Sequence, residues 1–260
     1  MWQKQTAMKT ISFIKNLAAI LTLAVSISCN SNAQETTFPP YLTASSVPSS
    51  KVLLPPPPEP GSVEFLLDEY YYFEAKKLRD TPRGQQAIDD AKMGEAVLQQ
   101  LGIPFGHKIT EQRMPALYKL LMRAKETFGS YGCNQAKEYY ARTRPFVYYG
   151  ESSLTPWDEK WLKTNYSYPS GHSAIFYGLA CILSSLKPER QEEIYSRADE
   201  GAYSRVIAGC HWMSDTRAAR VVAMMVFARL QADSDYQEDF LLAKKEQARI
   251  ETPDVIYVVD

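Results

Sequence analysis

Three short clusters of polar residues in this 260-residue chain have the make-up of an anion-handling site. The first, 137–145, reads Lys-Glu-Tyr-Tyr-Ala-Arg-Thr-Arg-Pro and sets Lys137 and Arg144 seven positions apart. Seven residues are two helical turns, so a helix would send both cations from one face, and Pro145 would stop it just past Arg144. The second, 168–172, reads Tyr-Pro-Ser-Gly-His and leads straight into an apolar run. Ser170 has the type and place of a helix N-cap, and Gly171 lets a ligand come close to the backbone. The free N–H groups and positive dipole end of the following helix form an anion site, with His172 in its first turn. The third, 204–215, holds Arg205, His211 and Asp215. A carboxylate four residues after a histidine can hold one imidazole nitrogen and leave the other as a nucleophile. Arg205 and His211 are six apart, which a straight helix puts on different faces. Gly209 is therefore expected to break the helix and let them converge.

Each cluster has an ordinary explanation when taken alone: a solvated basic face, a capped core helix, a surface His–Asp pair. Together they supply three cations, two histidines and a carboxylate. That set suits phosphoryl transfer, a reaction that rests on positioning and electrostatic stabilisation.

The elements that must position these residues read as helices. Helical signals fall near 62–79, 83–101, 114–128, 133–143, 156–163, 170–186, 189–208, 214–231 and 234–248, with Gly and Pro between the segments. Ser62 is a plausible N-cap with Glu64 in the first turn, and Gly102 is read as a stop signal. The only strand-like run of useful length is 255–259. The fold class is all-α, a single compact helical domain over 62–249, with a C-terminal tail at 250–260. Residues 34–61, ending in Pro-Pro-Pro-Pro-Glu-Pro-Gly, should be an extended polyproline-like arm or linker.

The N-terminus has the layout of a secretory signal peptide over 1–33: Lys4, Lys9 and Lys15 precede the apolar run 17–27, and small polar residues follow. A cut before Gln34 competes with a poorer lipoprotein site ending at Cys29, which would carry the lipid. Export to the periplasm or beyond is the expectation either way. Removing 1–33 leaves 26 basic residues against 30 acidic, a net charge of −4. A mildly acidic chain is not built for general nucleic-acid binding, so any anionic substrate must meet a local group of cations. The remaining apolar runs, 174–186 and 218–230, are too short and too interrupted to span a membrane. Cys133, Cys181 and Cys210 are an odd set, open to one disulfide or to buried thiols, and three histidines with no CxxC give poor support to zinc.

The combined pattern, Lys-x6-Arg-Pro, Pro-Ser-Gly-His and Ser-Arg-x5-His-x3-Asp, resembles the type 2 phosphatidic acid phosphatase superfamily, which also contains vanadium haloperoxidases. Leu53-Leu54 before the proline run, Thr81-x-Arg83-Gly84, Pro115-Ala116-Leu117-x-Lys119-Leu120-Leu121, Arg144-Pro-Phe-x-x-Tyr-Gly150 and His211-Trp-x-Ser-Asp215 narrow this further. They are similar to the class A bacterial non-specific acid phosphatases over about 52–248. Ser173 stands where that family often has Thr, and Cys210 where it often has Tyr. The resemblance implies an acid phosphatase acting on phosphate monoesters, with His211 as nucleophile, Asp215 fixing its tautomer, and His172 as acid and then base. It assigns the phosphate to Lys137, Arg144, Ser170, Gly171 and Arg205, with no metal or other cofactor, and makes inorganic phosphate and vanadate the expected inhibitors. A homo-oligomer and a bell-shaped pH profile with an optimum below neutrality are also expected. The alternatives are a vanadate-dependent haloperoxidase, or a lipid or pyrophosphate phosphatase, using the same pocket. His107 is read as structural or solvated.

Overall fold

The computed structural model describes residues 38–251, and all regular structure among them is helical. In chain order the helices are α1 (Ser50–Leu53), α2 (Val63–Lys76), α3 (Pro82–Asp90), α4 (Glu95–Phe105), α5 (Pro115–Glu126), α6 (Gly132–Tyr140), α7 (Pro145–Tyr148), α8 (Glu159–Leu162), α9 (Gly171–Leu186), α10 (Gln191–Ile207), α11 (Met213–Leu230) and α12 (Ser234–Glu251). A π-helical turn, Thr127–Tyr131, joins α5 to α6, and a 3₁₀ turn, Pro188–Arg190, precedes α10. The proposed leader at 1–33, Cys29 and the run 255–259 lie outside the described residues.

Local chemistry explains most boundaries. The Ser62 hydroxyl accepts from the Phe65 N–H at 3.1 Å and opens α2, while Thr81 caps α3 with Pro82 at its first position. The segment expected as one helix over 83–101 is two, divided by the turn 91–94. Gly102 does not end α4, which runs through Pro104 to Phe105. Pro104 sits in the last turn, where it removes one i→i−4 donor, and Gly106 closes the helix in a left-handed conformation. Within 38–61, one helical turn, α1, interrupts the expected extended chain. Tyr41, Leu42, Val47 and Leu54 join the main core, and the Arg123 Nε donates to the Pro39 carbonyl at 2.9 Å.

The core is organised around α9. Its sequence is apolar around the whole circumference, which suits a central helix rather than a surface one. Ala174, Phe176, Leu179, Ile182 and Leu183 are fully buried, and α10, α11, α5 and the π turn pack against them. Burying each large side chain contributes about 1.5–3 kcal/mol before ordering costs. A Cβ at Gly178 would meet the Phe128 ring at 2.3 Å, so this glycine is what lets the π turn lie against α9. On the far side, Glu246 of α12 accepts from the Ala116 and Leu117 N–H groups at 3.0 and 2.9 Å, satisfying the free start of α5. The consequence for function is a rigid α9 whose N-terminus faces the π turn and the α10–α11 corner.

Candidate active site

The three sequence clusters converge at that N-terminus. Lys137 lies on α6 and is buried; its Nζ donates to the Tyr166 carbonyl at 2.5 Å. Arg144 does not share the helix, as the sevenfold spacing had implied. α6 ends at Tyr140, Ala141 takes a left-handed turn (φ 46°), and the chain runs on to Arg144 as the N-cap of α7. Arg144 is fixed by carbonyls from two segments, the end of α8 with the loop after it and the α10–α11 corner. Its Nε donates to Leu162 and Asn165 at 3.0 and 2.7 Å, and its Nη1 to Cys210 at 2.9 Å. Ser170 caps α9 by accepting from the Ser173 N–H at 3.2 Å, and its own N–H donates to the Asp215 carbonyl at 3.1 Å. That last bond ties the second cluster to the third.

The α10–α11 corner turns at Gly209, whose φ is +77°. A Cβ there would lie 2.3 Å from Arg79 Nη2, whose neighbouring Nε donates to the Ile207 carbonyl at 2.8 Å. The turn folds back so that the His211 N–H donates to the Arg205 carbonyl at 3.2 Å. Gly209→Ala should therefore cost about 2 kcal/mol from left-handed strain alone, with further loss from displacing Arg79. Chemical denaturation of the variant, beside its residual kcat, measures both effects.

His211 is 1% exposed. The Arg144 Nη1 lies 2.9 Å from its Nε2, and Asp215 Oδ2 lies 3.3 Å from its Nδ1. A guanidinium can only donate, so Nε2 carries the lone pair and Nδ1 the proton. Burial first, then the Arg144 charge, holds the imidazole well below its ordinary value, so it is neutral. Asp215 is fully buried, which alone would raise its carboxyl. Arg142, then the His211 and Ser167 hydrogen bonds, outweigh burial and hold it below the usual carboxylate range.

His172 lies beside this pair, with Nε2 3.3 Å from the Ala91 carbonyl. Desolvation and then the charge of Arg205 lower its proton affinity. Lys137 is brought down to about 7 by burial and by Arg144, and Arg144 itself to about 10, by burial with Arg205 adding to it. Arg205, at the end of α10, is fully buried, and none of its three guanidinium nitrogens has a hydrogen-bond partner among the described residues. A buried, uncompensated cation is costly, and such a group calls for an anion. Lys137, Arg144, Gly171, His172 and His211 border one cavity of about 240 Å³, rimmed by Met93, Lys125 and Trp161.

The PAP2 superfamily profile matches residues 122–237, which take in all three clusters. The non-specific acid phosphatase of Providencia stuartii is 41% identical over 211 residues, covering 81% of this chain and 85% of that protein. The chain belongs to the class A non-specific acid phosphatases of the PAP2 superfamily. The corresponding protein of Salmonella typhi is 36% identical over 211 residues, 81% of this chain and 84% of its own. An acid phosphatase of Zymomonas mobilis is 32% identical over 187 residues, 71% and 70% of the two chains.

The enzyme has site features that sequence reasoning missed. Arg142 donates through Nη1 to Asp215 Oδ1 at 2.6 Å and through Nη2 to Asp68 Oδ2 at 2.8 Å. Ser167 donates to Asp215 Oδ2 at 2.5 Å. The readable signal for Asp68 is its place on the buried stripe of α2, between Phe65 and Tyr72. The three cysteines are free and buried. His107 makes a 3.5 Å contact with Glu251. Among the described residues, no helix is long and apolar enough to cross a membrane, and no group of three His, Cys, Asp or Glu side chains could hold a metal.

Proposed function

We propose that this acid phosphatase hydrolyses a broad range of phosphate monoesters through a phosphohistidine on His211, without a metal ion and outside the cytoplasm. The observation that carries the reading is the state of His211: neutral, its Nδ1 proton turned to an ionised Asp215 and its Nε2 lone pair met by Arg144 at the cavity wall. The His211 Nε2 attacks phosphorus, the ester P–O bond breaks, and His172 gives its proton to the leaving oxygen. Water then attacks the phosphohistidine, losing a proton to His172, and the P–N bond breaks to release phosphate. Lys137, Arg144, Arg205, Ser170 and the Gly171 N–H take the equatorial oxygens. These cations supply the charge a metal would otherwise bring. On this reading the Arg144 donor that meets Nε2 turns to the phosphate when one binds.

Breadth of substrate is supported by the names of the relatives. Export rests on the basic and apolar pattern of 1–33. Homo-oligomerisation is supported by the exposed stripe Val63, Leu66, Leu67 and Tyr70 along α2. Inorganic phosphate and vanadate fit the same cradle as inhibitors; halide oxidation with vanadate and peroxide would reveal the haloperoxidase alternative. The decisive test is rapid quench with labelled substrate in EDTA. An acid-labile, alkali-stable phosphoenzyme that is absent in His211→Ala supports the reading, and full activity of that variant sinks it.

The pH dependence separates the two histidines. His211 must be neutral, and its lowered proton affinity keeps it so well below pH 6.5. His172 must be protonated, yet burial and then the Arg205 charge lower it too. A bound phosphate dianion reverses the sign of the local field and raises His172. The basic limb of kcat should therefore lie at higher pH than that of kcat/KM. A profile flat from about pH 4 to 9 would count against this division of roles.

A further inference from the structure

The buried chain Asp68–Arg142–Asp215 runs from α2 to the nucleophile. We infer that Arg142, anchored by Asp68, is a positioning residue that keeps Asp215 ionised and aimed at His211 in acid. The inference rests on His211 being the nucleophile, as proposed above.

Arg142 bridges two carboxylates with separate amino groups, and all three side chains are at most 8% exposed. Its Nη1 also donates to the Ser214 hydroxyl at 2.7 Å, and Ser214 returns two bonds to Asp68: N–H to Oδ1 at 2.8 Å and hydroxyl to Oδ2 at 2.5 Å. Trp212 and Phe65 lie 5.4 and 6.0 Å from the guanidinium carbon, adding ring faces on its apolar side. A planar fork held this way has one orientation, which a lysine point charge could not reproduce. Arg142 is not on the wall of that cavity, and its nearest link to the site is the bond to Asp215.

The groups around Asp215 come from three places. Arg142 follows α6, Ser167 and Tyr168 precede α9, and His211 and the Trp212 N–H lead into α11. Lys137 and Arg144 act from farther off. Arg142 is the strongest of the charges favouring the carboxylate. Asp215 and His211 share one proton site between them, so its affinity belongs to the pair. Removing the positive charge of Arg142 raises that affinity, whichever member takes the proton. Either result disables the nucleophile: a protonated Asp215 releases the tautomer, and a protonated His211 has no lone pair. Removing the negative charge of Asp68 has the opposite sign.

The test is the pH profile of kcat/KM for wild type, Arg142→Gln, Arg142→Lys and Asp68→Asn, normalised to folded sites by stoichiometric vanadate binding. Arg142→Gln should move the acid limb up by at least about one pH unit and lower kcat about 10²-fold. Arg142→Lys should restore the limb but not kcat. Asp68→Asn should lower kcat about tenfold while the limb stays or moves down. A purely structural role would lower the amount of folded enzyme and leave every limb in place, and an unmoved limb in Arg142→Gln overturns the inference. If that variant does not accumulate, Asp68→Asn decides, since wild-type kcat there overturns it equally. Loss of the phosphoenzyme assignment would be seen in His211→Ala, independently of these limbs.

Discussion

His211→Ala should lose at least about 10³-fold in kcat, with a melting temperature within a few degrees of wild type. The imidazole makes no bond that holds the corner together: the backbone turn is closed by its N–H to Arg205, and Asp215 keeps Arg142, Ser167 and the Trp212 N–H without it. The loss should fall on kcat, because the variant leaves the proposed phosphate cradle of Lys137, Arg144 and Arg205 in place. Steady-state kinetics beside vanadate binding separates the two. A variant that loses vanadate affinity in proportion to its rate would mean that His211 is a ligand-binding group only.

Arg205→Met should do two things that rarely go together. In phosphate-free buffer the melting temperature should rise by roughly 3–6 °C, because a buried, unpartnered charge beside Arg144 is replaced by an apolar chain of similar length. At the same time kcat/KM should fall about 10²- to 10³-fold, since the buried guanidinium proposed above to take an equatorial oxygen is lost. Added phosphate should stabilise wild type and barely move the variant. Melting curves with and without phosphate, beside the kinetics, read all three. A fall of several degrees without phosphate would show that Arg205 has a structural partner, and the anion-cradle role would fail.

Much of this was legible in the sequence, and the reasons are local ones. The fold class followed from 3.6-residue patterning and caps such as Ser62 and Ser170, whose hydrogen bonds lie within three residues. The break at Gly209 followed from a six-residue spacing that no straight helix could serve. What escaped was set by contacts distant in sequence. Arg142 gains its meaning from Asp68, 74 residues earlier, and from Asp215, 73 later. Lys137 and Arg144 meet through a left-handed Ala141 that no spacing rule foretells. The π turn exists because Phe128 packs on Gly178, a tertiary event rather than a local preference.

The lowered proton affinity of Lys137 has a consequence for the word acid in this family's name. With its ammonium titrating at about 7, the cradle carries three full charges in acid and fades toward two as the solution turns alkaline. Seating a dianion above neutrality is therefore also a proton uptake, and affinity for phosphate, as substrate or as product, weakens along the same axis. On the proposed assignment, phosphate affinity should therefore fall with rising pH through Lys137, separately from the titration of the two histidines.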